Sequence, residues 1–368
     1  MNQFGLEDFA ETQRIIEQGI DDQLHSCAQV YISQYQSKVA SFALGNIDAD
    51  RVCTTSTIMP WMSCSKMITA LAFAILTERG EVTFTTPVMD IIPEFGCNGK
   101  EGITFTHLLN HTCGLRILAL RTKVQTWDET ISSICAMPVE KNWTIGHDGG
   151  YHIGTSWFIL GEAIQRIIKQ PLADFIQSEI FEPLEMKHSW FSMADDLYRN
   201  PELEIAKFYQ TDTKPIKLAV DEYESAINKC WPGASGRGPI AELGRFMEML
   251  SNGGTYGFKR ILSGSTIEQM TTASREGQLD KTFNKIIDWG LGFMLDSKQY
   301  QNSYPYSFGL GCSEETYGHN GNQSSAAYVD GENELVVCFV FNGLPGEAKH
   351  QKRLAAMNEA IYKDLDLL

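Results

Sequence analysis

The sequence has no excess of positive charge: 30 Lys and Arg stand against 46 Asp and Glu, a formal net charge of -16. Such a chain repels phosphate backbones and anionic headgroups, so neither a nucleic acid nor a membrane is expected among its partners. It also lacks a long hydrophobic run, since the stretch Met67 to Leu76 is far too short to span a bilayer. The first residues, Met1 to Ala10, hold neither the basic cluster nor the apolar core of a secretory signal, and a cytoplasmic location is expected. Nine cysteines form no C-x-x-C pair, which argues against a zinc ribbon, and their odd number argues against a full disulfide framework. They are expected to be reduced and mostly buried. A Walker loop, a dinucleotide fingerprint, an H-E-x-x-H helix and a Gly-x-Ser-x-Gly elbow are all missing. His107, His111, His147 and His152 lie near Asp148 in sequence, but none has metal-ligand spacing, and neither a metal nor a cofactor is expected. Internal repeats, low-complexity tracts and a Pro/Ser-rich linker are absent too, so residues 1–368 read as one unit.

What is present is an ordinary globular composition, 43% hydrophobic and 21% charged over 368 residues. Phe9, Ile15, Ile16, Ile20 and Leu24 follow a helical period. Ala28 to Gln34 and Lys38 to Leu44 read as two strands of a meander. A helical stretch from Met67 to Arg79 comes next, followed by turns at Thr86-Pro87 and Ile92 to Gly96 and a short helix through His107 to Asn110. Trp157 to Ile168, Pro171 to Ile180 and Glu242 to Leu250 carry apolar residues three and four apart. Ser325 to Val329 and Leu335 to Phe341 read as a hairpin turning at Asp330 to Asn333, with a C-terminal helix from Gln351. Strands at both ends and helices between predict an α+β fold, an antiparallel sheet flanked by helices with an inserted, mostly helical lobe. The sheet lobe is expected at about 1–82 plus 285–368 and the helical lobe at about 83–284.

Ser63-Cys64-Ser65-Lys66 opens the Met67 helix directly after the apolar run Ile58 to Met62. Residues three apart share a helix face, so the Lys66 amine can reach the Ser63 hydroxyl. A backbone N–H in the first turn points free at the positive end of the helix dipole and can donate to an oxyanion. The same field, with burial, lowers a lysine pKa and lets the amine act as a base near neutral pH. The spacing alone is equally that of a serine-capped helix start with a solvated lysine one turn later.

The resemblance extends beyond this box. Together with Gly80 to Val88 and Ile103 to Leu115, it makes the chain similar to the serine beta-lactamase and penicillin-binding-protein superfamily. Within that superfamily it looks closest to the class C beta-lactamase-like branch, which includes family VIII carboxylesterases. The likeness runs from about Arg14 to Tyr362 and implies a beta-lactamase/transpeptidase-like fold. By resemblance, Tyr151 of Tyr151-His152-Ile153-Gly154 begins the second catalytic box. A phenol beside a lysine ammonium is expected to have a lowered pKa and to relay protons. Many relatives have Tyr-x-Asn, whose amide holds the substrate, whereas this chain has Ile153; His152 is a candidate polar replacement, weighed against a structural histidine.

The third box of the family is Lys-Thr-Gly or His-x-Gly. Of the matches at His147, His152 and His319, position selects His319-Asn320-Gly321, since Trp289 to Phe293 precede it and the Ser325 hairpin follows. An edge strand there would place the Asn322 N–H as second oxyanion donor beside that of Ser63, with Gly321 letting the backbone come close. His319 would orient the site or bind a substrate carboxylate, and replacing lysine with histidine shifts the expected substrate toward neutral esters or amides. The expected activity is a serine hydrolase working through a Ser63 acyl-enzyme with Lys66 and Tyr151, most like a carboxylesterase, on a small-molecule ester or amide. An acyltransferase with the same residues and a non-catalytic scaffold keeping the fold are the alternatives. The sequence specifies no oligomeric state, and the segments Leu115 to Asn142 and Tyr209 to Arg237, expected to shape the pocket, carry no clear pattern.

Overall fold

In the computed structural model, which describes residues 6–116, 125–214, 216–218, 227–300 and 308–368, the two ends of the chain meet in one sheet. Cys27–Gln34 (β1) and Ser37–Gly45 (β2) come from the N-terminal part; Met294–Leu295 (β3), Thr316–Asn320 (β4), Ser325–Asp330 (β5) and Leu335–Phe341 (β6) from the C-terminal part. Their order is β3-β4-β5-β6-β1-β2, antiparallel throughout, with Tyr31 opposite Cys338 where the two ends join. Every residue of β6 is buried, as its unbroken Leu-Val-Val-Cys-Phe-Val-Phe run requires of a strand covered on both faces. One face packs Val337, Phe339 and Val30 against helices Ala10–Asp21 (α1) and Glu347–Asp364 (α5). The other sets Tyr31, Val336 and Cys338 against Ile240–Ser251 (α4). Each fully buried Val, Leu or Phe here contributes about 1.5–3 kcal/mol.

Helix Ser65–Glu78 (α2) is of a different kind. Twelve of its 14 residues are buried, so it is covered on all sides rather than along one stripe. Lys66 is the one charge in that buried stretch. Helix Thr155–Ile168 (α3) packs beside α2 through Trp157, Leu160 and Ile164, in the same core as Leu71 and Ile75.

The α+β class expected from the sequence is the class observed, with three local differences. The C-terminal helix begins at Glu347, four residues before Gln351, behind Gly346 at φ 85°. The segment read as a helix to Ile180 ends its regular turns at Ile176 and continues through Gln177–Phe181 as a wider π turn. The strand carrying His319 is not the sheet edge, because Met294 and Leu295 pair with Gly318 and Tyr317; only its last residues run past that short neighbour. All nine cysteines are free thiols, seven of them buried. Among the described residues no helix is long and apolar enough to cross a membrane, and no group of three or more His, Cys, Asp or Glu is arranged to hold a metal ion.

Candidate active site

The turn before α2 is strained and tightly held. Met62 sits at φ 52°, a left-handed conformation that costs a residue with a Cβ on the order of 1 kcal/mol or more. Three contacts impose it. Ser65 Oγ donates to the Met62 carbonyl at 2.6 Å and accepts from Gly236 N–H at 2.9 Å, and Ser325 Oγ on β5 donates to the Trp61 carbonyl at 2.8 Å. Cys64, which does not line the cavity, donates its Sγ–H to the His319 carbonyl at 3.1 Å, so the first box is joined to β4. Ser63 is left half-buried at the head of the helix.

Lys66 reaches back from the first turn of α2 and donates to Ser63 Oγ at 3.2 Å and to the Gly233 carbonyl at 2.9 Å. Its amine also lies 5.1 Å from the centre of the Tyr151 ring and 5.4 Å from that of Trp157. The side chain is fully buried with no carboxylate partner among the described residues, and burial lowers its pKa from 10.5 to about 7. An amine so shifted is available as a neutral base near pH 7, with a lone pair at hydrogen-bond range of a hydroxyl.

Tyr151 packs its ring against Phe283 at 5.1 Å and Trp289 at 5.7 Å, both nearly parallel to it. Here the sequence expectation is corrected: the phenol pKa is raised, not lowered. Burial is the main cause, with interaction with the Ser63 hydroxyl opposing it. Being desolvated weighs more on a buried phenolate than the hydrogen bond that favours it. The group is a proton holder.

His319 closes the same cluster, with its ring 5.9 Å from that of Tyr151 and 5.6 Å from that of Trp289. Its Nδ1–H donates to the Asn320 carbonyl at 2.7 Å, while Nε2 is buried without a partner among the described residues. Burial, then the Lys66 charge, push its pKa down to about 3, so the imidazole is neutral and offers no cation to a carboxylate. At Gly321 a Cβ would lie 2.0 Å from Ser325 Oγ and 2.8 Å from the Trp61 carbonyl, so the close approach of the two boxes requires glycine. The Asn322 N–H, in the turn after β4, has no intramolecular acceptor among the described residues.

These groups border a cavity of about 500 Å³. Apart from the boxes its walls are largely apolar, with Met62, Phe158, Trp231, Phe283, Met294 and Leu354 among them. A family model described as Beta-lactamase matches residues 12–361. The chain belongs to the Beta-lactamase family. A protein of Salmonella agona (strain SL483), named "Putative D-alanyl-D-alanine carboxypeptidase", is 25% identical over 326 residues, 79% of this chain and 70% of its own. A solved family VIII carboxylesterase has the same fold with a TM-score of 0.78 at 20% identity, covering 99% of both chains. EstCE1, described as a hydrolase with promiscuous acyltransferase activity, gives a TM-score of 0.80 at 17% identity, over 97% of this chain and 99% of that one. The fold is thus beta-lactamase/transpeptidase-like, and the chain is a serine hydrolase of the Beta-lactamase family.

Of the residues singled out from the sequence, Ser63, Tyr151, His319, Asn320, Gly321 and Asn322 border this cavity, and Lys66 stands directly behind Ser63. His152 does not, which corrects its candidacy as a substrate contact. It is fully buried, accepts from the Leu115 N–H at 3.0 Å through Nε2, and meets His111 Nδ1 at 3.2 Å through its own Nδ1. Its partners saturate it on the far side of the loop. Ile153, 69% exposed, faces the cavity instead. Sequence reasoning also missed Gly233, whose Trp231-Pro232-Gly233 context reads only as a turn, and Phe283 and Asp280, which carry no motif. Parts of the two segments expected to shape the pocket, 117–124, 215 and 219–226, lie outside the described residues.

Proposed function

We propose that this Beta-lactamase-family protein is a carboxylesterase-like serine hydrolase that cleaves a neutral, largely apolar ester or amide through a Ser63 acyl-enzyme. The observation that carries the reading is the buried Lys66 amine, 3.2 Å from Ser63 Oγ with its pKa lowered to about 7. Ser63 Oγ attacks the carbonyl carbon while its proton passes to Lys66 Nζ. The negative charge developing on the carbonyl oxygen is held by the N–H groups of Ser63 and Asn322. As the bond to the leaving group breaks, the Tyr151 phenol gives it a proton and is refilled from the Lys66 ammonium. Water then attacks the acyl carbon, delivering its proton back through Tyr151 and Lys66, and the acid departs with Ser63 restored.

Neutral substrates are favoured by the neutral His319 and by the pairing of the nearby Arg116 with Glu140 at 2.7 Å. Neither offers a free cation to a substrate carboxylate, which weighs against the carboxypeptidase activity that the Salmonella relative's name describes. Within this reading the chain is a single catalytic unit, with the sheet lobe at about 1–82 plus 285–368 and the helical lobe between. Acyl transfer is the second reading: the cavity has room for an alcohol in place of the attacking water, and EstCE1, a structural neighbour, is described with that activity.

Intact mass after brief incubation with p-nitrophenyl butyrate and acid quench tests the reading. An acyl adduct on wild type that is missing from Ser63→Ala is expected, together with Ser63-dependent nitrophenol release. Equal turnover by Ser63→Ala would refute the nucleophile assignment. No adduct and no turnover by either would favour a scaffold, and butyrate transferred to added alcohol would favour the acyltransferase.

A further inference from the structure

The segment 275–289 contributes to the site mainly through what it does to Tyr151. Arg275 and Asp280 form an ion pair at 2.8 Å whose two side chains are both completely buried. Burying two charges is expensive, and such a pair persists where further hydrogen bonds satisfy it. Asp280 has these in quantity. Its Oδ1 accepts from the N–H groups of Tyr151 at 3.1 Å, Thr282 at 2.9 Å and Phe283 at 3.1 Å, while Oδ2 takes the guanidinium. One carboxylate thus fixes both the backbone of Tyr151 and that of Phe283, whose ring lies along the phenol. Thr282 adds a return contact, donating Oγ1–H to the Tyr151 carbonyl at 3.0 Å.

Arg275 holds the other side. It donates to the carbonyls of Ile287 at 3.1 Å and His111 at 3.4 Å, and its guanidinium stands 5.6 Å from the Trp289 ring, the second aromatic against Tyr151. Its backbone pairs with that of Trp289 in both directions. Of the two rings stacked nearly parallel on the phenol, one is tied to Asp280 and the other to Arg275. The ordinary need of a buried salt bridge would be met by any donors to the carboxylate and any acceptors for the guanidinium; here each partner's remaining bonds go to Tyr151, to a residue whose ring touches it or to the chain beside it.

We infer that the buried Arg275–Asp280 pair is the positioning unit of Tyr151, fixing the phenol where it can protonate the departing group. The inference rests on the proton-donor role of Tyr151 given above. The negative charge of Asp280 also adds, after burial, to the forces keeping the phenol protonated. Neither residue touches substrate, and a loss of placement by about 1 Å costs about 10²-fold in rate.

The test compares ethyl butyrate, whose alkoxide must be protonated as it leaves, with p-nitrophenyl butyrate, whose phenolate leaves without a proton. The double variant Arg275→Met/Asp280→Ala removes the acceptor without stranding a buried charge. It is expected to lower kcat/KM, which reports acylation, about 10²-fold on the ethyl ester and several-fold less on the nitrophenyl ester; deacylation, in which Tyr151 also relays a proton, is common to both and does not enter that ratio. The neutral pair Arg275→Gln/Asp280→Asn, which keeps the Oδ1 acceptor, is expected to recover most of that loss. Tyr151→Phe added to the apolar pair should cost little more. Equal losses on both esters, or no loss in a folded apolar pair, would overturn the inference while leaving Tyr151 in its role. Tyr151→Phe on the wild-type background with no leaving-group contrast would instead remove the role itself, and the inference with it. If the apolar pair does not fold, Asp280→Asn alone, which turns an N–H toward Arg275, is expected to give the same contrast at smaller amplitude, and its absence overturns the inference.

Discussion

Two lysines among the described residues are completely buried, and they do opposite things. Lys100 Nζ donates to three carbonyls, those of Cys97 at 2.8 Å, Cys135 at 3.0 Å and Met137. Three acceptors meet the three N–H bonds of an ammonium. Two of them belong to the C-terminal end of the helix Trp127–Ala136, where the helix dipole favours a cation. Lys66 stands in the first turn of α2, at the end where that dipole opposes it, with one carbonyl and one hydroxyl. Burial lowers the pKa of both, but only for Lys66 is it brought to about 7. Burial causes the shift at Lys66, and with one carbonyl and one hydroxyl as its acceptors the amine is left to exchange a proton with Ser63, whereas three carbonyls make Lys100 a tie between loops.

The widest separation of the two comes from replacing each by methionine. Lys66→Met is expected to lower ester turnover by at least about 10³-fold, as loss of a general base does, while raising stability by about 2 kcal/mol through removal of a desolvated amine. Initial rates and urea denaturation check both signs, and a less stable Lys66→Met would break the contrast. Lys100→Met is expected to keep kcat near wild type and to cost about 3 kcal/mol, because carbonyls buried at a helix end lose their donor.

Titration sharpens the comparison next. Below about pH 7 Lys66 is an ammonium and cannot take the Ser63 proton, so kcat/KM is expected to fall about tenfold per pH unit there and to level off above. In stability the same group binds fewer protons folded than unfolded between about pH 7 and its ordinary 10.5. Its contribution therefore rises with pH across that window and is least favourable below 7, a slope that Lys66→Met should remove. The smallest effect is expected at the cavity mouth. Ile153→Asn changes an exposed residue, so stability should move by under about 0.5 kcal/mol while selectivity shifts a few-fold from esters toward amides.

How much was legible follows from how local each signal is. β1, β2, β5 and β6 are written as apolar runs or alternations, and all four lie within two residues of their expected bounds. Met294–Leu295 is too short to carry a period, which is why β4 read as an edge. The start of α5, Glu347 to His350, has no apolar stripe, so its turn against the cavity was missed. Ser63 and Lys66 were visible because one helical turn joins them. The surroundings of Tyr151 were not, since Asp280 lies 129 residues away and the two flanking rings come from the same distant segment. A raised phenol pKa is a property of that enclosure, and no pattern around residue 151 encodes it.

Cys64 has a consequence for how the site is interrogated. Its neighbour on each side of the Ser63-Cys64-Ser65 turn is a hydroxyl, and a thiol in such company is the first suspect for any electrophile. Burial pushes this thiol up to about 12, and its sulfur is occupied by the His319 carbonyl behind the cavity wall. With neither a thiolate nor a path to one, alkylating and arylating reagents have nothing to capture there. A covalent probe mapped to residues 63–64 in the folded protein therefore reports the serine and not the thiol, without the cysteine having to be mutated away first.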